Sequence, residues 1–302
     1  MTQQGQGEDL APKNPFEGLT YGSYLKVPEL LDLQHCLTGD RSHDELLFIV
    51  IHQAYELWFK QILFELETVR DRLDHDDFIE ARRLLDRVAA IERVLVQQIH
   101  LLETMRPRDF CAFRAALHPA SGFQSVQFRE VEFLTGLKRP SYLRYLAEGS
   151  PERAALERRL GEPSLGDALR GALARAGFEI PSELNMDDGD AVREASRALL
   201  PIYAEPDTHS AIYQLLEALV AHDQWLLIWR FHHVRVVERV IGSKPGTGGS
   251  PGVPYLESTL RHRAFPLLWA ARSFLDDSDY FAGYAEGGQS VTGCPLHGGP
   301  QE

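Results

Sequence analysis

Two histidines lie inside long apolar stretches with helical spacing: His52 in Phe48-Ile49-Val50-Ile51-His52, and His233 in Trp229-Arg230-Phe231-His232-His233-Val234. Histidine is only intermediate in its preference for burial, so each imidazole is either a hydrogen-bonded core residue or a ligand. The ligand reading implies a definite chemistry. A haem iron takes a neutral imidazole on its proximal side and needs an apolar slot for the macrocycle. A second histidine across that slot would face a bound gas or substrate. The aromatic and aliphatic residues three and four positions from each histidine suit such a slot, and they suit an ordinary core as well. Other metal chemistry fits less well. A carboxylate-bridged dimetal bundle uses Glu-x-x-His on inward faces, and the nearest approach is Asp32-Leu33-Gln34-His35. The His-Glu-x-x-His pattern of zinc hydrolases is absent.

Three further groups could contact a small molecule. Arg114 follows Phe110 and Phe113, next to Ser121-Gly122-Phe123-Gln124. A guanidinium beside aromatic rings can hold a carboxylate bidentately, although a surface helix also carries arginines. The run Gly246-Thr247-Gly248-Gly249-Ser250-Pro251-Gly252 would let backbone N–H groups approach an anion. It follows a helix and lacks a Gly-Lys-Ser/Thr ending, so it is a substrate loop or a plain connector and no nucleotide P-loop. Tyr21 and Tyr24 are wall residues or a hydrophobic staple.

These residues must be positioned by helices. Pro28 suits a first helical position and opens a short pattern with Leu30, Leu31, Leu33 and Leu37 as its apolar face. Ser42 with Glu45 three residues later reads as a capping box for a helix from about His43 to Leu73. A second long run, about Asp77 to Met105, carries Ile79, Leu84, Leu85, Val88, Ile91, Val94, Leu95, Ile99 and Leu102 on one face and is broken by Arg106-Pro107. Short helices follow at 107–117 and through Phe133 and Leu134. Residues 140–200 read as short Ala- and Arg-rich helices, an insertion packed on the bundle. A long run from Thr208 to Ile241 ends at Gly242, and a last helix is expected over 256–275. No period-2 strands alternate with turns. The expected fold is all-α: one domain of long helices over 19–275, with a ligand pocket between them, a flexible N-terminal arm at 1–18 and a flexible tail at 276–302.

Composition narrows the function. Of 302 residues, Lys and Arg number 31 against 44 Asp and Glu, a net charge of −13. That balance, without a concentrated basic stripe, argues against nucleic acid. No run of 18 apolar residues suggests a membrane span. Met1 to Pro15 has no apolar core of a signal peptide, and Cys36, Cys111 and Cys294 form no zinc or disulfide pattern. A reduced, cytoplasmic protein is expected.

The motifs taken together resemble the tryptophan 2,3-dioxygenase family. The resemblance rests on Thr20-Tyr21-Gly22-Ser23-Tyr24-Leu25, His43 through Gln53, Glu56-Leu57-Trp58, Phe110-x-x-Phe113-Arg114, and Ser121-Gly122-Phe123-Gln124-Ser125-x-Gln127-Phe128-Arg129. It continues through His233-Val234-x-x-Val237-Glu238-Arg239-x-Ile241-Gly242 and Gly246-Thr247-Gly248-Gly249-Ser250. The segments occur in order over about residues 20–260. The resemblance implies an all-helical homotetramer that binds haem b and cleaves the indole C2–C3 bond of L-tryptophan with O2, giving N-formylkynurenine. It implies that His233 is the proximal iron ligand, with Ser121 and Gly122 beside the cofactor. His52 is the distal histidine that meets the indole N–H, Arg114 pairs with the substrate carboxylate, and Thr247 binds the amino-acid end. Phe48 and Phe110 wall the indole, and Tyr21 and Tyr24 come from a neighbouring subunit. Tyr55, Pro245 and His232 depart from common family patterns. They leave room for a monooxygenase relative forming an oxindole from a substituted tryptophan; a separate alternative is a non-catalytic haem sensor. Intact Arg114 and Thr247 argue against the sensor.

Overall fold

The computed structural model describes residues 18–39, 42–247 and 251–275. The expected arm (apart from residue 18), the expected tail, and Gly248, Gly249 and Ser250 of the glycine run lie outside the described residues. Among the described residues there is no strand, so the all-α expectation holds. No helix there is long and apolar enough to cross a membrane.

Three long helices form the frame: α3 (Asp44–Asp74), α4 (Phe78–Ile99) and α11 (Ser210–Ile241). At 1.5 Å per residue, α3 and α11 are each about 45 Å long. α4 packs between them along most of its length. The periodicity that predicts these helices also supplies the core. Leu66, Val69 and Leu73 of α3, Leu85 and Val88 of α4, and Leu215, Leu216 and Leu219 of α11 are fully buried in one cluster. Each such side chain stabilises the fold by about 1.5–3 kcal/mol relative to exposure. α8 (Leu165–Arg175) adds Leu165, Leu169 and Leu173 to this cluster and packs on α3. α7 (Pro151–Gly161) packs on α6 (Val126–Thr135), where Phe133, Tyr142 and Leu156 make a smaller buried group. α9 (Gly189–Arg197) and α10 (Leu200–Ala204) lead back to α11.

Several local expectations fail for identifiable reasons. The Ser42–Glu45 capping box does not form. His43 is the N-cap residue and makes no side-chain cap bond. The Ser42 hydroxyl donates to the Asp109 carbonyl, while the Glu45 carboxylate accepts from the backbone N–H groups of Leu37 and Thr38 and from the Thr38 hydroxyl. Tertiary partners therefore take both side chains. The helical pattern opened by Pro28 shrinks to α2 (Val27–Leu31), preceded by a separate turn of helix, α1 (Tyr21–Leu25), and Leu31, Leu33 and Leu37 are 58–70% exposed instead of forming a buried face. The run to Met105 stays α-helical only to Ile99 and continues as 3-10 turns over His100–Thr104. Ile79 is solvent-exposed, as its place in the first turn of α4 allows. The expected helix over 256–275 is broken into α12 (Val253–Ser258), a 3-10 turn, and α13 (Pro266–Ala271) followed by another 3-10 turn. Pro266 lacks an N–H and starts a new helix where it would break an old one. The helix expected at 107–117 is found as α5 (Pro107–Arg114) plus one 3-10 turn.

Candidate functional site

The histidines face one another across a cavity bounded by α3, α5, the 121–132 segment, α11 and α12. The cavity has a volume of about 300 Å³, at the lower end of the roughly 300–1,000 Å³ of small-molecule pockets. Its walls are mainly apolar: Phe48, Phe59, Ile99, Leu102, Met105 and Phe128 among others. His52, Phe48, Phe110, Arg114, Ser121, Gly122, His233 and Thr247 all line it. The fold therefore brings together eight of the ten residues singled out in the sequence. Tyr21 and Tyr24 are 78% and 71% exposed and do not line this chain's own cavity.

His52 Nδ1–H donates to the Phe48 carbonyl one turn earlier, at 2.7 Å. A carbonyl can only accept, so the proton sits on Nδ1 and Nε2 is left as an acceptor. His52 is solvent-accessible and lines the cavity. Burial in protein lowers its pKa below the ordinary histidine value, against smaller opposing effects of the Phe48 carbonyl and the Glu56 carboxylate. The ring is neutral at pH 7. Phe48 stacks near it (centroids 4.0 Å apart) and forms an aromatic triangle with Phe110 and Phe113 at 5.1–5.7 Å.

His233 sits on the facing wall. Desolvation first, then the nearby charges of His52 and Arg129, push its pKa down to about 4, which leaves a neutral imidazole with a free lone pair. Its ring lies parallel to Trp229, 5.2 Å away and tilted by 9°. The Trp229 indole N–H donates to the Tyr55 hydroxyl at 3.4 Å, and that hydroxyl donates to the Leu95 carbonyl at 2.7 Å. Tyr55 thus lines the cavity with its ring while its hydroxyl ties α3 to α4 and supports Trp229. His232, one residue earlier, turns away and packs on the His100 ring at 4.7 Å.

At the half-buried rim, Arg114 donates one guanidinium N–H to the Pro245 carbonyl, and Thr247 Oγ1 donates to the Ala120 carbonyl at 2.7 Å. These bonds tie the 242–247 loop to the segment after α5 without exhausting either group. A guanidinium has five N–H donors, and a donating hydroxyl keeps two lone pairs. Gly252 closes the loop: its φ is +75°, and a Cβ there would meet the Lys244 carbonyl oxygen at 2.7 Å. Ser121 and Gln124 form the capping box of the turn containing Gly122. The Glu56 carboxylate accepts from Ser125 (2.6 Å) and Gln127 (2.8 Å), fixing α6 against α3.

The sequence reading missed the charged floor of this cavity, Arg129, Glu132 and Arg230, and the Tyr255 hydroxyl beside it. Only packing marks them: from Phe128 to Thr135 every residue of α6 is buried, and charges in a helix with no polar face must find partners.

The cavity combines mainly apolar walls with a neutral imidazole, His233, and with the polar side chains of Arg114 and Thr247. Among the described residues, no cluster of three or more His, Cys, Asp or Glu side chains could hold a metal ion by protein ligands alone.

The sequence profile of the tryptophan 2,3-dioxygenase family matches residues 6–169 and 189–275. Proteins named tryptophan 2,3-dioxygenase are similar over most of the chain. One from Nocardioides is 50% identical over 262 residues, 85% of this chain and 95% of that one. One from Herpetosiphon aurantiacus is 46% identical over 263 residues, 86% of this chain and 99% of its own length. One from Caulobacter vibrioides is 44% identical over the same extent.

Proposed function

The chain belongs to the tryptophan 2,3-dioxygenase family, and from that premise we propose how its cavity carries out the family's reaction: haem b held by His233, L-tryptophan bound against it, and both atoms of O2 inserted across the indole C2–C3 bond to give N-formylkynurenine. The enzyme is an oxidoreductase. The observation that carries this reading is the meeting of a neutral, unbonded His233, a tautomerically fixed His52, Arg114 and Thr247 in one apolar cavity. The residues fit the cofactor. None of the hydrogen bonds among the described residues engages a nitrogen of His233, and the slot beside it is walled by Phe128, Trp229 and Val236. Haem supplies the O2 chemistry that amino-acid side chains lack.

The protein's own part is binding and orientation. Phe48 and Phe110 take the indole ring, burying its apolar faces. His52 Nε2 accepts the indole N–H, so the ring has one preferred orientation. Arg114 takes the carboxylate with the donors not used by Pro245. Thr247 offers its free lone pairs to the ammonium group while donating to Ala120. The substrate carries no net charge, so the overall charge of −13 is no barrier. We read residues 19–275 as one domain, since the 140–200 helices share the buried cluster of the frame.

The oxindole-forming alternative drew on Tyr55, His232 and Pro245. Tyr55 is spent on Trp229 and Leu95, His232 on His100, and Pro245 meets the site through its carbonyl. None of the three singles out a substituted tryptophan.

The role of His52 has a direct test. A buried hydrogen bond contributes about 0.5–1.5 kcal/mol net, so His52→Ala should lower turnover of L-tryptophan several-fold without abolishing it. 1-Methyltryptophan cannot donate the bond and crowds an intact imidazole. It should be a poor substrate of the unmodified enzyme and relatively better for the variant. Complete loss on both substrates, with haem and O2 binding retained, would make His52 an essential base and overturn this assignment.

A second copy of the chain completes the site in this reading, and we place the assembly as a homotetramer in the cytoplasm, the latter on the three scattered cysteines and the composition. Tyr21, Tyr24, Leu25, Leu31, Leu33 and Leu37 are large apolar side chains exposed along one segment, and exposed apolar surface of this kind marks interaction sites. The same segment is fixed to α3 by the Gln34–Gln53 bond (2.6 Å) and by Glu45. Leu31→Glu should therefore yield a smaller species in sedimentation velocity and raise KM for L-tryptophan. Unchanged mass together with unchanged kinetics would sink the shared site.

A further inference from the structure

Residues 18–38 form a strap along the outside of the bundle, carrying α1 and α2 and continuing without regular structure to Thr38. The bonds that shape it are local. Thr20 and Ser23 cap α1 reciprocally, and the Gln34 amide donates to the Leu30 carbonyl at 3.0 Å. Such bonds fix the form of a segment but not its place on the molecule. Among the described residues, the hydrogen bonds that leave the strap all end on α3, at Glu45 and Gln53. These two residues are eight positions apart, about 12 Å along the helix axis.

The two ties differ in strength. Gln53 donates to the Leu33 carbonyl (3.0 Å) and accepts from the Gln34 amide (2.6 Å), both neutral bonds in partly exposed surroundings. Glu45 is 1% exposed. Its carboxylate accepts from the N–H groups of Leu37 (2.7 Å) and Thr38 (3.0 Å) and from the Thr38 hydroxyl. Bonds to an ionised acceptor are roughly twice as strong as neutral ones, and burial keeps water from competing for them. The grip on the Leu37–Thr38 turn is therefore the main anchor. From there Gln34 and α2, which packs on α1, pass the position on to Tyr21 and Tyr24.

Neighbouring side chains at the same end of α3 hold something else. The Ser42 hydroxyl donates to the Asp109 carbonyl, and the Asp44 carboxylate accepts the Arg106 N–H, each at 3.2 Å. Both fasten α5, which brings Phe110 and Arg114 to this chain's own cavity. Glu45 instead fastens a strap whose two tyrosines are 78% and 71% exposed and do not line that cavity.

We propose that Glu45 is a positioning residue for the neighbouring subunit's site: by gripping the Leu37–Thr38 turn it sets where Tyr21 and Tyr24 are presented. Its loss is felt in the neighbour's pocket and not in its own. This rests on the reading that a second copy of the chain completes the site.

Complementation between two impaired subunits tests it. Subunits carrying different tags are co-expressed, and mixed assemblies are isolated on both tags. One subunit carries Arg114→Ala, which impairs its pocket and leaves its strap intact. The other carries Glu45→Gln, which loosens the strap, leaves the pocket intact and strands no buried charge. Glu45→Gln alone should keep its haem and its sedimentation coefficient and lower kcat/KM for L-tryptophan about tenfold. In the mixed assembly intact pockets meet intact straps, so kcat/KM per haem should rise several-fold above the mean of the two parents. A fault confined to the subunit's own fold gives no such rise. Should Glu45→Gln fail to fold, Thr38→Val removes one donor from the strap side and should behave alike with a smaller loss. The reference pair joins Arg114→Ala with a subunit carrying Tyr21→Ala and Tyr24→Ala. If the reference pair complements and the Glu45 or Thr38 variant does not, or if that variant has unchanged kinetics, the proposal fails. If neither pair complements, the shared site itself is overturned.

Discussion

Protein carrying His233→Ala is expected to purify without its full complement of haem, or with iron left to water or a non-native ligand and an altered Soret band. The reason is the environment described above. His233 is neutral, makes no hydrogen bond on either nitrogen among the described residues, and is held flat against Trp229 at 5.2 Å. No other described histidine but His52 lines the cavity, so no neighbour can replace it on the same face. His232→Ala is the control. Successive residues on an α-helix point about 100° apart, and His232 packs on His100 outside the cavity, so this variant should keep the normal spectrum. A His233→Ala protein with unchanged ferric and ferrous–CO spectra would remove His233 from the iron.

Arg114→Ala should raise KM for L-tryptophan on the order of 10- to 100-fold while haem content stays constant. A charge-assisted hydrogen bond contributes roughly 1.5–3 kcal/mol, and the lost group is the only arginine at the rim of the cavity among its described lining residues. The substitution also frees the Pro245 carbonyl and loosens one of the two ties on the 242–247 loop. Tryptamine separates the two effects. It lacks the carboxylate, so it should bind the unmodified enzyme poorly and be little affected by the substitution. An equal loss for tryptophan and tryptamine would show that Arg114 serves the loop rather than the ligand.

Much of this protein was determined locally. The long helices follow from apolar residues recurring at helical spacing, and α3 and α11 end within two residues of where the pattern places them. His52 and Phe48 share a helix face because they are four residues apart, and Gly242 ends α11 as its position after the apolar run suggests. The resemblance to a known family rests on short motifs of the same local kind. What the tertiary structure decided are the matters in which distant segments compete for one group. Ser42 and Glu45 fit a capping box by spacing, but Asp109, Leu37 and Thr38 satisfy them first. Tyr55 looks from the sequence like bulk added beside His52, and only the approach of α4 and α11 turns its hydroxyl to Leu95 and Trp229. Arg129, Glu132 and Arg230 read as ordinary helix charges until packing removes the water around them. Desolvation then makes partners of them, Arg129 and Arg230 both donating to Glu132, and that depends on segments about a hundred residues apart in the chain closing around the same cavity.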